Sequence, residues 1–97
     1  MQEDEILKPI DARGKNIHVG SRVRIVKVPI FTWVEDLEAR EERERVFGHL
    51  LGKCKTVIAF DKNGFVELGF KIRQGIDAGY HFVWLEPEFL LVQKLNS

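Results

Sequence analysis

Two apolar-rich runs, residues 53–60 and 65–72, flank the tetrapeptide Asp61, Lys62, Asn63, Gly64. Both runs are rich in β-branched and aromatic side chains, and Asn63 with Gly64 tolerates positive φ, so the segment predicts one β-hairpin. In the second run Val66, Leu68, Phe70 and Ile72 share the inward face while Glu67 and Lys71 point out. Gly69 interrupts that strand, as happens where a sheet bends or another group comes close. In the first run Cys54 shares its parity with Thr56, Ile58 and Phe60, which places it inward.

Residues 17–28 predict an earlier strand with Val19, Val23 and Ile25 on one face and Ser21, Arg22 and Arg24 outward. The alternation slips at Ile25 and Val26: either both faces are covered there or a β-bulge resets the register. Pro29 ends the ladder because it has no N–H to give. Thr32 and Glu35 then fit a capping box, predicting a helix from Trp33 to about Leu50. Asp36 with Arg40 and Glu41 with Arg45 have the four-residue spacing that supports it. Trp33, Val34 and Leu37 anchor one end and Val46, Phe47, Leu50 and Leu51 the other, with a solvated middle, Gly48 as a possible break and Gly52 closing the segment. After a two-glycine loop at 73–79, His81 to Leu85 predicts a strand carrying Phe82 and Trp84 on one face. Glu86, Pro87, Glu88 and Phe89 suit a single helical turn before a last strand at 90–95.

The count is five short strands with one helical insertion, at about 33–50, between the first and second. A mainly β chain of this kind best avoids open edges by curling into a small barrel, and the element order is that of a five-stranded SH3-like barrel. Its 97 residues suit one domain over 11–97 behind a loose arm at 1–10. No window approaches the roughly 18 apolar residues of a membrane span. Met1 to Glu5 is acidic and precedes no sustained apolar stretch, unlike a secretory leader, so a cytoplasmic location is expected. Cys54 stands alone, which excludes an internal disulfide.

The strand residues Val19, Gly20, Ser21, Arg22, Val23, Arg24 and Ile25 carry a family likeness. So do the later Gly52, Lys53, Cys54, Lys55, Thr56 and Val57 and the closing stretch from Trp84 to Val92. Together they resemble a pattern shared by the small SH3-like barrel protein of photosystem I, the variable chain of ferredoxin-thioredoxin reductase, nitrile hydratase beta-type domains and KOW domains. The chain is also similar to small uncharacterised bacterial proteins of this architecture. The resemblance covers roughly two-thirds of the chain. It implies the SH3-like fold and, as in those families, docking on a larger protein or, for KOW domains, on RNA. The helix at 33–50 departs from all of them.

The chemistry-bearing residues point the same way. Cys54 lies between two lysines, which favour a thiolate, but its inward parity reads as a buried, inert thiol. His18, His49 and His81 lack ligand spacing, so neither metal nor cofactor is expected. Charges balance at fifteen of each sign, which disfavours nucleic acid, although 35–45 holds six acids against three bases and leaves the remainder basic. Arg22, Arg24, Lys53, Lys55, Lys71 and Arg73 fall at outward or strand-end positions and could line a basic sheet face, with Phe65 or Tyr80 to stack on bases. Trp84 is assigned to the core. Phe31, Trp33, Val34 and Leu37 form the expected partner surface. The expectation is a non-enzymatic docking or accessory module for a protein or for its own copy, and the alternative is KOW-like binding of single-stranded RNA or DNA.

Overall fold

The computed structural model describes residues 9–94. The chain forms β1 (Arg22–Ile25), α1 (Leu37–Gly48), β2 (Cys54–Phe60), β3 (Val66–Ile72), β4 (Gly79–Leu85), a single 3-10 turn (Pro87–Phe89) and β5 (Leu90–Val92). The strands make one antiparallel sheet in the order β4-β3-β2-β1-β5. Among the described residues it is mainly β with one α-helix, and the two end strands of the sheet, β4 and β5, do not pair with each other, so the sheet is open.

The hairpin stands as the residues predict. Asp61 Oδ1 accepts the N–H groups of Asn63 and Phe65, and Gly64 adopts a φ of 84°. Val66, Leu68, Phe70 and Ile72 all face the core. β3 and β4 then pair without interruption from Val66↔Leu85 to Ile72↔Gly79.

The expected register slip lies elsewhere. β1 ends at Ile25, with Val26 exposed beyond it, and Val19 belongs to an exposed turn. The irregularity falls in β2, between Val57 and Ala59. Val57 pairs with Leu68 on the inner face and Ala59 with Glu67 on the outer, so Ile58 and Ala59 both face out and Phe60 swings back towards the core. Counting by strict alternation therefore misplaces everything before the bulge. Cys54 is half-buried, Thr56 and Ile58 are exposed, and Lys55 shares the inner side with its partner Val23. The buried-thiol expectation is corrected accordingly.

α1 begins at Leu37, four residues later than the capping box predicts. Val34 N–H bonds to Phe31 C=O in a turn, and the Arg40 guanidinium holds the carbonyls of Val34 and Thr32. Asp36 takes the cap position without a side-chain cap bond. Neither predicted i,i+4 pair forms. Arg40 is spent on those carbonyls, and Arg45 reaches Asp77 in the 73–79 loop at 2.9 Å. The helix is anchored at its C-terminal end, where Val46 and Leu50 join Val23, Ile25, Val57, Leu68, Leu85 and Leu90 in the core. Each such aliphatic side chain contributes about 1.5–3 kcal/mol of burial.

Of the expected loose arm at 1–10, residues 1–8 lie outside the described ones, and the last two, Pro9 and Ile10, are held in place. Pro9 is buried, Ile10 bridges to Asn16, and Ile17 N–H bonds to Pro9 C=O. Asp11 fastens this small hairpin to β5. Its Oδ1 accepts the N–H groups of Arg13 and Lys15 and its Oδ2 that of Val92, all at 2.8 Å. Of the last predicted strand, 90–92 is observed and Leu95 lies outside the described residues.

Candidate functional site

Because Val83 and Leu85 fill the inner face of β4, the same alternation puts Tyr80, Phe82 and Trp84 outside. Phe82 sits opposite Gly69, and its ring occupies the space a side chain there would need: a Cβ on Gly69 would lie 3.0 Å from Phe82 Cε1. Across from this strand, residues 26–36 leave β1 and cannot continue the ladder through Pro29. They fold back so that Phe31 packs on Phe47 of α1, with ring centroids 4.9 Å apart, and Trp33 rides on Phe31 at 6.4 Å.

Between these walls runs a groove of about 690 Å³, with Phe31, Phe47 and Phe89 towards its floor and Ile30, Trp33, Phe65, Phe82 and Trp84 on its rim. Trp33 is 68% exposed, Phe82 63% and Trp84 41%. These large aromatics share one lining, so their exposure is clustered and not scattered singly over the surface. Three charged side chains line it: Lys27, Arg43 and Glu86. Lys27 Nζ lies 5.2 Å over the Phe89 ring and the Arg43 guanidinium 5.7 Å over Trp33, so both cations are held along the aromatic walls.

Of the partner surface predicted from sequence, Phe31 and Trp33 line this groove. Phe31 and Val34 are buried, and Leu37 is exposed on α1 outside the lining. The opposite wall, built by Phe82 and Trp84 of β4, is not part of the surface predicted from sequence. Trp84 belongs to the rim and not the core, a correction that follows from the inward set Val83 and Leu85. The signal was present in the two-residue spacing of Tyr80, Phe82 and Trp84, but spacing alone does not say which face is wet.

The six basic residues do not converge on one face. Arg22 and Arg24 are exposed on the outer side of β1, and Lys71 shares the outer side with Tyr80, its Nζ 5.6 Å over that ring. Lys53 and Arg73 are exposed at strand ends. Lys55 lies on the other side, with its Nζ 5.7 Å over the buried Phe70.

Among the described residues two carboxylates are tuned by their surroundings, and neither lines the groove. The fork of Arg45, bonding both oxygens of Asp77, holds that carboxyl below its usual range despite burial, with His81 and His49 adding to the effect. Burial would raise the Asp11 carboxyl, but the backbone donors Val92, Lys15 and Arg13 and the Lys15 charge outweigh it and leave the group below its ordinary value. Both are structural clasps. His81 donates its Nε2 proton to Asp77 C=O at 2.6 Å and stacks on Phe70. Among the described residues no three His, Cys, Asp or Glu side chains gather as a metal cluster, and no helix is long and apolar enough to cross a membrane. Comparisons of the chain with protein-family models, with curated proteins and with solved structures find no match.

Proposed function

We propose that this protein is a non-catalytic docking module that seats a protein partner in the aromatic groove between residues 27–33, α1 and β4. The observation that carries the reading is the clustering of Trp33, Phe82 and Trp84, all exposed, over a floor of packed phenylalanines. Aromatic anchors around a desolvated pocket supply most of the binding energy in protein interfaces. The same reading takes the sheet as a small SH3-like barrel left open between β4 and β5. Its support is the strand order, in which β1 lies between β2 and β5, and the single turn that carries the chain from β4 into β5.

Trp33→Ala and Trp84→Ala test it. A partner cross-linked by the wild-type protein in native lysate should be lost with both variants, each weakening binding by about 30-fold, while the far-ultraviolet circular dichroism is unchanged. Variants that capture the same partner as wild type would sink the proposal.

A second reading has its own observation. Tyr80, Phe82 and Trp84 stand at two-residue intervals on the outer face, with Lys71 against Tyr80 and Arg22 and Arg24 on the same side of the sheet. Aromatics flanked by cations can stack single-stranded bases. Binding to a single-stranded oligonucleotide should then weaken steeply as salt rises. Lys71→Ala and Arg24→Ala should each flatten that slope, whereas Lys55→Ala should not. A complex that fails to form at low salt removes this reading.

A further inference from the structure

The two edges of the sheet are finished differently. β5 is covered by the hairpin at 9–17: Ala12 N–H donates to Leu90 C=O at 2.9 Å, and the Asp11 carboxylate takes the Val92 N–H. β4 pairs with β3 alone, and among the described residues no strand lies on its other side. Its residues, Gly79 to Leu85, include no Lys, Arg, Asp, Glu or Pro, the residues with which natural sheets blunt a bare edge. Three successive residues of this strand, Phe82, Val83 and Trp84, line the groove. Since neighbours in a strand point to opposite faces, a groove that touches all three runs along the strand's edge and not across one face.

We infer that the occupant of the groove is an extended segment of a partner protein that adds to β4 as a further strand, with apolar side chains at alternate positions and at least one carboxylate. This inference rests on the docking reading and names the partner's chemistry. The N–H and C=O groups on the outer edge of β4, which pair with no strand among the described residues, supply the main-chain bonds, as in other cases of strand addition. Trp33, Phe82 and Trp84 receive the alternate side chains. The carboxylate follows from the lining charges, two cations against Glu86, with Lys27 and Arg43 both held along the groove walls. A second copy docked symmetrically on this edge would bring the same pair of cations against itself, whereas an acidic strand meets complementary charge.

The test selects binders from a displayed library of random peptides against the full chain, then titrates one selected peptide into isotope-labelled protein. Selected peptides should alternate apolar and polar positions and carry more Asp and Glu than Lys and Arg. Amide exchange should slow at alternate residues of β4, and backbone N-methylation should cost about tenfold or more in affinity at every second peptide position and little between. Lys27→Glu with Arg43→Glu should shift the selected pool towards basic peptides; both side chains are exposed, so the fold is not at stake. A pool without acidic bias, unchanged exchange in β4, or even tolerance of N-methylation overturns the inference. So does self-association or an oligonucleotide that protects the same amides. If exchange in β4 is unmoved while Trp33→Ala and Trp84→Ala still abolish partner capture, strand addition fails and the docking reading stands. If those variants leave capture intact, the docking reading itself fails.

Discussion

Asp11 and Asp61 build the same turn twice. In each, Oδ1 accepts the N–H groups two and four residues on, and a glycine three residues on takes a φ near 85°, at 86° and 84°. Asp11 alone is buried and has a second oxygen engaged with β5, so its removal orphans the Val92 N–H as well. Asp11→Ala should lower unfolding free energy at neutral pH by about 1–3 kcal/mol, measured by urea denaturation. The folded-state pKa of Asp11 is depressed, so its contribution is complete above the unfolded value of about 3.9 and fades as pH falls through the lower folded one. The gap between wild type and variant should therefore close only at strongly acid pH; a gap that closes near neutrality would exclude the carboxylate as its source. Gly69 is the complementary case, a residue defined by what sits on it. Gly69→Ala pushes a methyl group against the Phe82 ring, which is exposed enough to swing away. Stability should change by less than about 1 kcal/mol, yet partner binding should weaken, because the ring leaves its seat on the groove rim. Equal affinity for both proteins would show that Phe82 is not an anchor.

Elements were legible where local chemistry and tertiary packing agree. The β2–β3 hairpin could be read because its turn residues, β-branched content and inward set Val66, Leu68, Phe70, Ile72 all demand the same structure. The Val57/Ala59 bulge could not, since it depends on how β2 must bend between β1 and β3. The start of α1 was misread for a related reason: Thr32 and Glu35 could have capped a helix, but burial of Phe31 and Val34 fixes a turn there and Arg40 completes it. Half of the groove was therefore visible, Phe31 and Trp33, and the half built by β4 was not. The same competition governs Arg45, whose local partner Glu41 loses to Asp77 because the buried Asp77 carboxylate takes its side-chain hydrogen bonds from this guanidinium, while the exposed Glu41 is served by water. Arg45→Met should raise the Asp77 pKa and speed amide exchange in α1 and the 73–79 loop, leaving the β3 amides as slow as in wild type. Uniform acceleration through β3 would mean that the clasp supports the whole fold and not only the docking of the helix.

The molecule as a whole combines a formal charge of zero, a pI near 6.8 and, among the described residues, an open strand edge at β4 with no Asp, Glu, Lys or Arg on it. Near neutral pH no net repulsion keeps copies apart, and the β4 edge offers them unpaired main-chain groups. Specific docking and non-specific association thus draw on the same strand and must be separated by a position on β4 that lies outside the groove. Tyr80 is that position: it is 74% exposed, absent from the groove lining and directly opposite Lys71. Tyr80→Glu gives up an aromatic contact with Lys71 but gains a cross-strand ion pair, each worth a few tenths of a kcal/mol to about 1 kcal/mol, so stability should be nearly unchanged. It also adds a negative charge to every copy and places it on the bare edge. Light scattering during thermal unfolding and refolding should fall relative to wild type, while groove peptides bind both proteins alike. Scattering that persists at the wild-type level would assign aggregation to another surface. A parallel loss of peptide affinity would instead mean that the docked strand extends past Phe82 to the start of β4, and that the binding edge is longer than the groove that lines it.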